Sequence, residues 1–224
     1  MSVQALSVQK ISVDNGYLRV KRIIDIVFTL LIFIPLCIVV AIVALMIRLD
    51  SPGPIFFRQK RVGLNGTEFE MLKFRSMQHN SDDALHREAT SQFMNGSTLS
   101  NGADSSKVYK LTNDSRITRV GRFLRKTSID ELPQFFNVLY GDMTLVGPRP
   151  ALRYEVELYS PQDRLRLCGK PGLTGIWQVY GRSRVSFQTM VKMDVEYLQQ
   201  QSIWKDLKLI ALTVPVMLLG SGGA

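Results

Sequence analysis

Two adjacent carboxylates, Asp130 and Glu131, follow a run of five Arg/Lys (Arg116, Arg119, Arg122, Arg125, Lys126) that contains no acid. Cations and amide dipoles keep a carboxylate ionised at neutral pH, and an ionised, positioned carboxylate can attack phosphorus. The same cations can bind a diphosphate. Two acids at a helix N-terminus also serve as plain caps, so the pair alone leaves both readings open. Further on, Pro148 and Pro150 bracket Arg149. Their rings fix the backbone on both sides, and a guanidinium held at low entropy suits phosphate reading.

The elements that must position these groups are legible as periodicities. Ile117, Val120 and Leu124 fall on one helical face and Arg116, Arg119, Arg122 and Lys126 on another. Thr127 and Ser128 break that helix, and Leu132, Phe135, Phe136, Val138 and Leu139 start a second one, with Asp130 and Glu131 in its first turn. Ser128-x-x-Glu131 has capping-box spacing. Pro133 would then fall just past the free amides, so the spacing favours Asp130 as N-cap. A strand-like Met143–Val146 leads into Gly147-Pro148-Arg149-Pro150.

The chain has 224 residues, 46% of them hydrophobic, and a formal net charge of +9. That is enough for one catalytic domain plus an anchor, and it points to an anionic partner: nucleic acid, lipid or a phosphorylated substrate. Two distant cysteines, Cys37 and Cys168, give no disulfide framework. Residues 1–19 read as a loose tail. Ile23 to Ile47 carries one charge, Asp25, over 25 residues, about 37 Å as helix against a hydrocarbon core of roughly 30 Å. Basic residues flank both ends and Pro35 sits near the middle, which predicts a bent helix over 20–50 that enters and leaves on one face.

Residues 51–224 form the expected cytoplasmic domain. Ile55–Phe57 and Phe69–Phe74 read as strands around Asn65-Gly66, a hairpin signal, with Lys73 on the second. Residues 79–110 are a polar insertion with a short helix over 82–93, and neither His79 nor His86 has metal-ligand spacing. Pro171–Gly175 reads as a turn and Ile176–Val179 as a short strand before Gly181-Arg182. Ser186 caps a helix whose apolar stripe contains Asp194, either salt-bridged or facing a polar site. From Ile203 to 219 an amphipathic helix with Trp204, Lys205 and Lys208 fits a membrane interface.

TSIDELPQFFNVLYGDMTLVGPRP, together with KRIIDIV, DSPGPIFFRQKRVG, LKFRSM and PGLTGIWQVYGR, resembles the bacterial sugar transferase family, the monotopic polyprenyl-phosphate phosphoglycosyl transferases, over residues 20 to 215. The resemblance implies a mostly helical α+β monotopic membrane protein with an N-terminal re-entrant helix, a small β-hairpin and amphipathic interfacial helices. It implies transfer of a sugar-1-phosphate from a UDP-sugar to undecaprenyl phosphate on the cytoplasmic face of the bacterial inner membrane, with UMP released. Asp130 would be the nucleophile, Glu131 (with Asp130) would hold Mg²⁺, and Lys73, Arg149, Arg182, Lys170 and Asp194 would bind phosphate or substrate. The family breaks its membrane helix at a Ser-Pro pair, whereas here Ile34 precedes Pro35. Sugar transfer with UDP release and a non-enzymatic basic membrane adaptor are the alternatives. Nucleic acid is not an expected partner, because the cations are not interleaved with a stacking surface. A homo-oligomer stays open, as does the sugar.

Overall fold

The apolar run folds as α1 (Asn15–Asp50), a single 36-residue helix in the computed structural model, which describes residues 14–78, 84–94, 114, 116–181 and 185–218. Asp14 starts it by accepting from the amides of Gly16 and Tyr17. Pro35 lies inside this continuous helix. One stripe of α1 is buried, comprising Lys21, Asp25, Thr29, Leu36, Val43 and Ile47, at spacings of four and seven. The opposite side exposes Leu30, Leu31, Ile34, Ile38, Ile42, Leu45 and Leu49. By length and composition α1 is apolar enough to cross a membrane.

Polar groups in that stripe tie α1 to the rest of the chain. Asp25 accepts from Thr144 Oγ1 (2.7 Å) and from the Leu145 amide (3.0 Å). Lys21 Nζ reaches Asp206 at 2.6 Å, and the Tyr17 and Tyr197 hydroxyls lie 2.8 and 2.6 Å from the same carboxylate. Arg22 donates to the carbonyls of Val138 and Leu139, at a helix C-terminus whose free acceptors favour a cation. At the other end, Val43 and Ile47 share a core with Phe74 and Leu124. Both ends of α1 therefore rest on one body.

The hairpin pairs β1 (Phe56–Val62) with β2 (Glu68–Phe74), from Phe56↔Phe74 to Val62↔Glu68. The first strand is longer than expected and includes Lys60 and Arg61. At its tip Asn65 (φ 54°) and Gly66 (φ 83°) take left-handed conformations that Asn and Gly tolerate. After α2 (Ala84–Met94), the only part of the 79–110 insertion among the described residues, comes α3 (Arg119–Thr127). Thr118 Oγ1 caps α3 at the Gly121 amide.

The connection to α4 (Gln134–Tyr140) differs from expectation. Ser128 closes α3 in a left-handed conformation (φ 57°), Ile129–Glu131 form a 3₁₀ turn, and Pro133 stands at the N-cap of α4. Asp130 is thus not an N-cap, and its carboxylate is left for other partners. β3 (Thr144–Val146) runs parallel to β4 (Gly172–Thr174), so the expected turn at 172–174 is a strand. Between them come α5 (Arg153–Glu157) and a 3₁₀ turn, Asp163–Cys168. An ideal Cβ on Gly172 would sit 2.0 Å from the Gly147 amide nitrogen, so only glycine lets these strands approach.

The expected strand at 176–179 is instead α6 (Ile176–Tyr180). Ile176 and Val179 pack on the core formed by Met143, Leu145, Val146, Tyr197, Leu198 and Leu209, and that packing overrides their β preference. α7 (Phe187–Gln199) starts at Ser186 as expected, with Ser186 Oγ accepting from the Thr189 amide. α8 (Ile203–Leu218) buries Asp206 and Leu209 and leaves Trp204 83% exposed. Cys37 and Cys168 are both free.

Candidate active site

β2 and the turn after α3 bring the acids to their cations. Lys73, paired across the hairpin with Phe57, places Nζ 2.8 Å from Glu131 Oε1. α3 approaches the end of β2 so closely that a Cβ on Gly121 would lie 1.9 Å from the Ser76 carbonyl oxygen. That approach lets Arg125 Nε donate to Ser76 Oγ at 2.9 Å and turns Arg125 toward Asp130. On the same side of α3, Leu124 is fully buried, worth about 1.5–3 kcal/mol for a side chain of this size.

The two acids differ in proton affinity. Burial pushes Glu131 up, but Lys73, Arg149 and Arg61 outweigh it and hold the carboxyl at about 2. Asp130 is pushed up to about 6 by burial and by the neighbouring Glu131 charge, against Lys73, Arg125 and Arg149. Glu131 is therefore the fixed anion of the pair. Asp130 remains mostly ionised at neutral pH while keeping the basicity a nucleophile needs.

Arg149 is held through its backbone. Arg61 donates to the Pro150 carbonyl (3.0 Å) and Arg166 to the Arg149 carbonyl (3.4 Å). The Gly147 amide donates to Thr174 O at 2.8 Å, which fixes the start of the loop on β4. The Arg149 guanidinium lies 5.9 Å from the Trp177 ring centroid. Asp194 stands behind this loop: it pairs with Arg166 at 2.5 Å, both side chains buried, and Arg166 also reaches the Tyr159 hydroxyl at 2.9 Å. Of the two readings of Asp194, the salt bridge is the observed one. Burial lifts its carboxyl to about 6 in spite of Arg166.

The structure thus brings together Asp130, Glu131, Lys73 and Arg149. Lys170 is placed elsewhere: burial lowers its pKa, and its charged neighbours are Arg22, Asp25 and Asp142. Arg182 and His79 lie outside the described residues. Arg125, named in the sequence only as one of five cations before the acids, joins the site, and so do Arg61 and Arg166, which the sequence did not single out. What sets Arg125 apart from the other four is its position between the apolar and basic faces of its helix. Arg61 and Arg166 act through contacts distant in sequence. Among the described residues no three His, Cys, Asp or Glu side chains gather as a metal cluster. The adjacent carboxylates still fit Mg²⁺, which is commonly held by one or two carboxylates while substrate phosphates complete its shell.

The family profile described as bacterial sugar transferase matches residues 16–220. The chain is 44% identical over 209 residues to galactosyl transferase CpsE of Streptococcus agalactiae serotype III, covering 92% of this chain and 44% of that protein. It is 39% identical over 220 residues to undecaprenyl-phosphate galactose phosphotransferase of Salmonella typhimurium, covering 98% and 45%. With exopolysaccharide production protein ExoY of Sinorhizobium fredii it shares 38% over 202 residues, covering 90% and 87%. The chain therefore spans less than half the length of the first two relatives and most of the third.

Proposed function

The chain belongs to the bacterial sugar transferase family, and from that premise we propose that it transfers a sugar-1-phosphate from a UDP-sugar to undecaprenyl phosphate, releasing UMP and beginning assembly of a lipid-linked glycan or exopolysaccharide. The observation that carries the reading is the asymmetric pair: Glu131 fixed as an anion by Lys73, beside Asp130 raised to about 6 and faced by Arg125 and Arg149. A plain helix cap would need no such ring of cations.

In the first step an Asp130 carboxylate oxygen attacks the phosphorus that bears the sugar. The bond from that phosphorus to the bridging oxygen breaks, and UMP leaves with the electron pair on its phosphate. In the second, a phosphate oxygen of undecaprenyl phosphate attacks the same phosphorus and expels the Asp130 carboxylate, giving the sugar diphospholipid. Lys73, Arg125 and Arg149 stabilise the charge that builds on the phosphoryl oxygens, and Arg149 does so from a backbone already fixed by Arg61 and Arg166. Arg182 is proposed as a further nucleotide or phosphate ligand on the family resemblance. Asp194 acts at one remove, from behind the Arg149 loop and through Arg166, whereas Lys170, placed among Arg22, Asp25 and Asp142, takes no part in these two steps. Glu131, with Asp130 beside it, would hold Mg²⁺ against the diphosphate, and the ion would neutralise the leaving UMP.

A lipid-borne phosphate must meet this site at a membrane surface. The apolar outer face of α1, with both helix ends resting on the catalytic body, supports a helix that enters and leaves on the cytoplasmic side of the inner membrane. α8, with Trp204 exposed, suits the interface. The test is lipid-dependent nucleotide release by purified protein in nanodiscs, with a panel of UDP-sugars, Mg²⁺, and UMP and UDP quantified separately. UMP release lost in Asp130→Asn is expected and identifies the sugar. UDP release would move the reaction to simple glycosyl transfer, and undiminished UMP release from Asp130→Asn would remove Asp130 as nucleophile.

A further inference from the structure

We propose that the outer face of α3 is a docking surface for anionic phospholipid headgroups, an inference that rests on the membrane placement of α1. Arg119, Arg122, Phe123 and Lys126 are all exposed and follow the i, i+3, i+4, i+7 spacing of one helical stripe. The opposite side of the same helix carries Gly121 and Leu124, both buried, and Arg125, which serves the acid turn. The three outer cations therefore turn away from the Asp130–Glu131 turn and are not part of its phosphate-binding set. Among the described residues none of the three makes an ion pair. Like charges at these spacings weaken a helix, and a surface of opposite charge relieves the strain.

The location favours a lipid surface over a soluble anion. α3 is fixed to the C-terminal end of α1 by the Val120 amide donating to Asp50 Oδ2 at 3.0 Å, and by Leu124 packing with Val43 and Ile47. At that end α1 exposes Leu45, Arg48 and Leu49. The basic stripe thus borders the apolar face of α1, where headgroups lie when that face is in lipid. An aromatic among three cations suits this boundary: the ring enters the acyl edge while the long basic side chains reach the phosphates.

The experiment is flotation of the full chain with preformed vesicles, either pure phosphatidylcholine or one-third phosphatidylglycerol, at low and high salt. Wild type is expected to prefer the anionic vesicles, and Arg119→Gln/Arg122→Gln/Lys126→Gln to lose that preference by about fivefold per charge removed. Salt is expected to erase the wild-type preference. Removing three other exposed cations, in Arg153→Gln/Arg164→Gln/Lys192→Gln, is expected to leave most of it. Equal wild-type flotation with both vesicles overturns the assignment of α3 alone. An equal drop in the control variant overturns it as a net-charge effect. A triple α3 variant that keeps its vesicle preference but loses UDP-sugar affinity, measured by titration, reassigns the face to the donor. Wild type that floats with neither vesicle refutes the membrane placement of α1 itself. Thermal melts of each variant separate loss of fold from loss of binding.

Discussion

Lys73 Nζ lies 2.8 Å from Glu131 Oε1, so the cation on β2 answers one acid of the pair while lowering the pKa of both. If Asp130 attacks as a carboxylate, kcat/KM for the UDP-sugar falls as pH drops through about 6, by about tenfold per pH unit below it. Lys73→Gln removes a charge that lowers the Asp130 pKa, so its acid limb is expected at higher pH than that of wild type. Rate profiles of the two proteins between about pH 5 and 8 check this. A limb that stays in place would mean that some other group is titrating.

The same raised pKa makes a prediction for stability. Asp130 titrates near 6 when folded and near 3.8 as an isolated side chain, so the folded state binds the proton more tightly. Its contribution is most favourable below 3.8 and is lost as pH rises to 6. Asp130→Asn, which cannot ionise, is expected to melt about 2–4 °C above wild type at pH 7.5, the equivalent of about 1 kcal/mol in a chain of this length. The gain should shrink steadily between pH 6 and 4. A variant less stable than wild type at pH 7.5 would show that the cations around the turn outweigh burial.

Behind the Arg149 loop, Arg166 and Asp194 form a pair whose side chains are at most 3% exposed. Asp194→Asn strips Arg166 of its counter-charge and is expected to cost about 3–5 kcal/mol in urea unfolding. Arg166→Met/Asp194→Leu removes both charges and should recover most of that stability. Activity is expected to stay at least about tenfold down in the double variant, because the Arg149 carbonyl has lost its donor. Recovery of kcat/KM together with stability would reduce the pair to a structural role.

Much of this site was legible from local pattern. The hairpin signal at Asn65-Gly66 put Lys73 on a strand, the periodicity of 116–126 gave α3, and the two prolines around Arg149 marked a rigid loop. What local pattern missed is decided at a distance. Capping logic placed Asp130 at a helix start, but Ser128 enters a left-handed conformation and the acids fall in a 3₁₀ turn. Ile176–Val179 has strand propensity, yet β3 takes Gly172–Thr174 as its partner, and the following residues coil as α6 to pack on the core. Asp25 read only as a lone charge in an apolar helix. Its partners, Thr144 and Leu145, lie some hundred and twenty residues away.

Gly121 shows how narrowly that arrangement is set. A methyl group there would meet the Ser76 carbonyl at 1.9 Å, and backbone cannot yield as a side-chain tip can. Gly121→Ala must push α3 off the end of β2, carrying with it Arg125 and the acid turn that follows. The expected cost is about 3 kcal/mol in stability, at the upper end for an overpacked site, and about a hundredfold in UMP release from misplacement of roughly 1 Å. Gly66→Ala is the comparison: its φ of +83° is strained for alanine, but nothing lies within 4 Å of the new methyl. It is expected to lose about 1–2 kcal/mol and to keep its activity. Thermal melts and UMP release on both variants check the contrast. Equal activity losses would mean that the close approach of α3 to β2 does not position the acids.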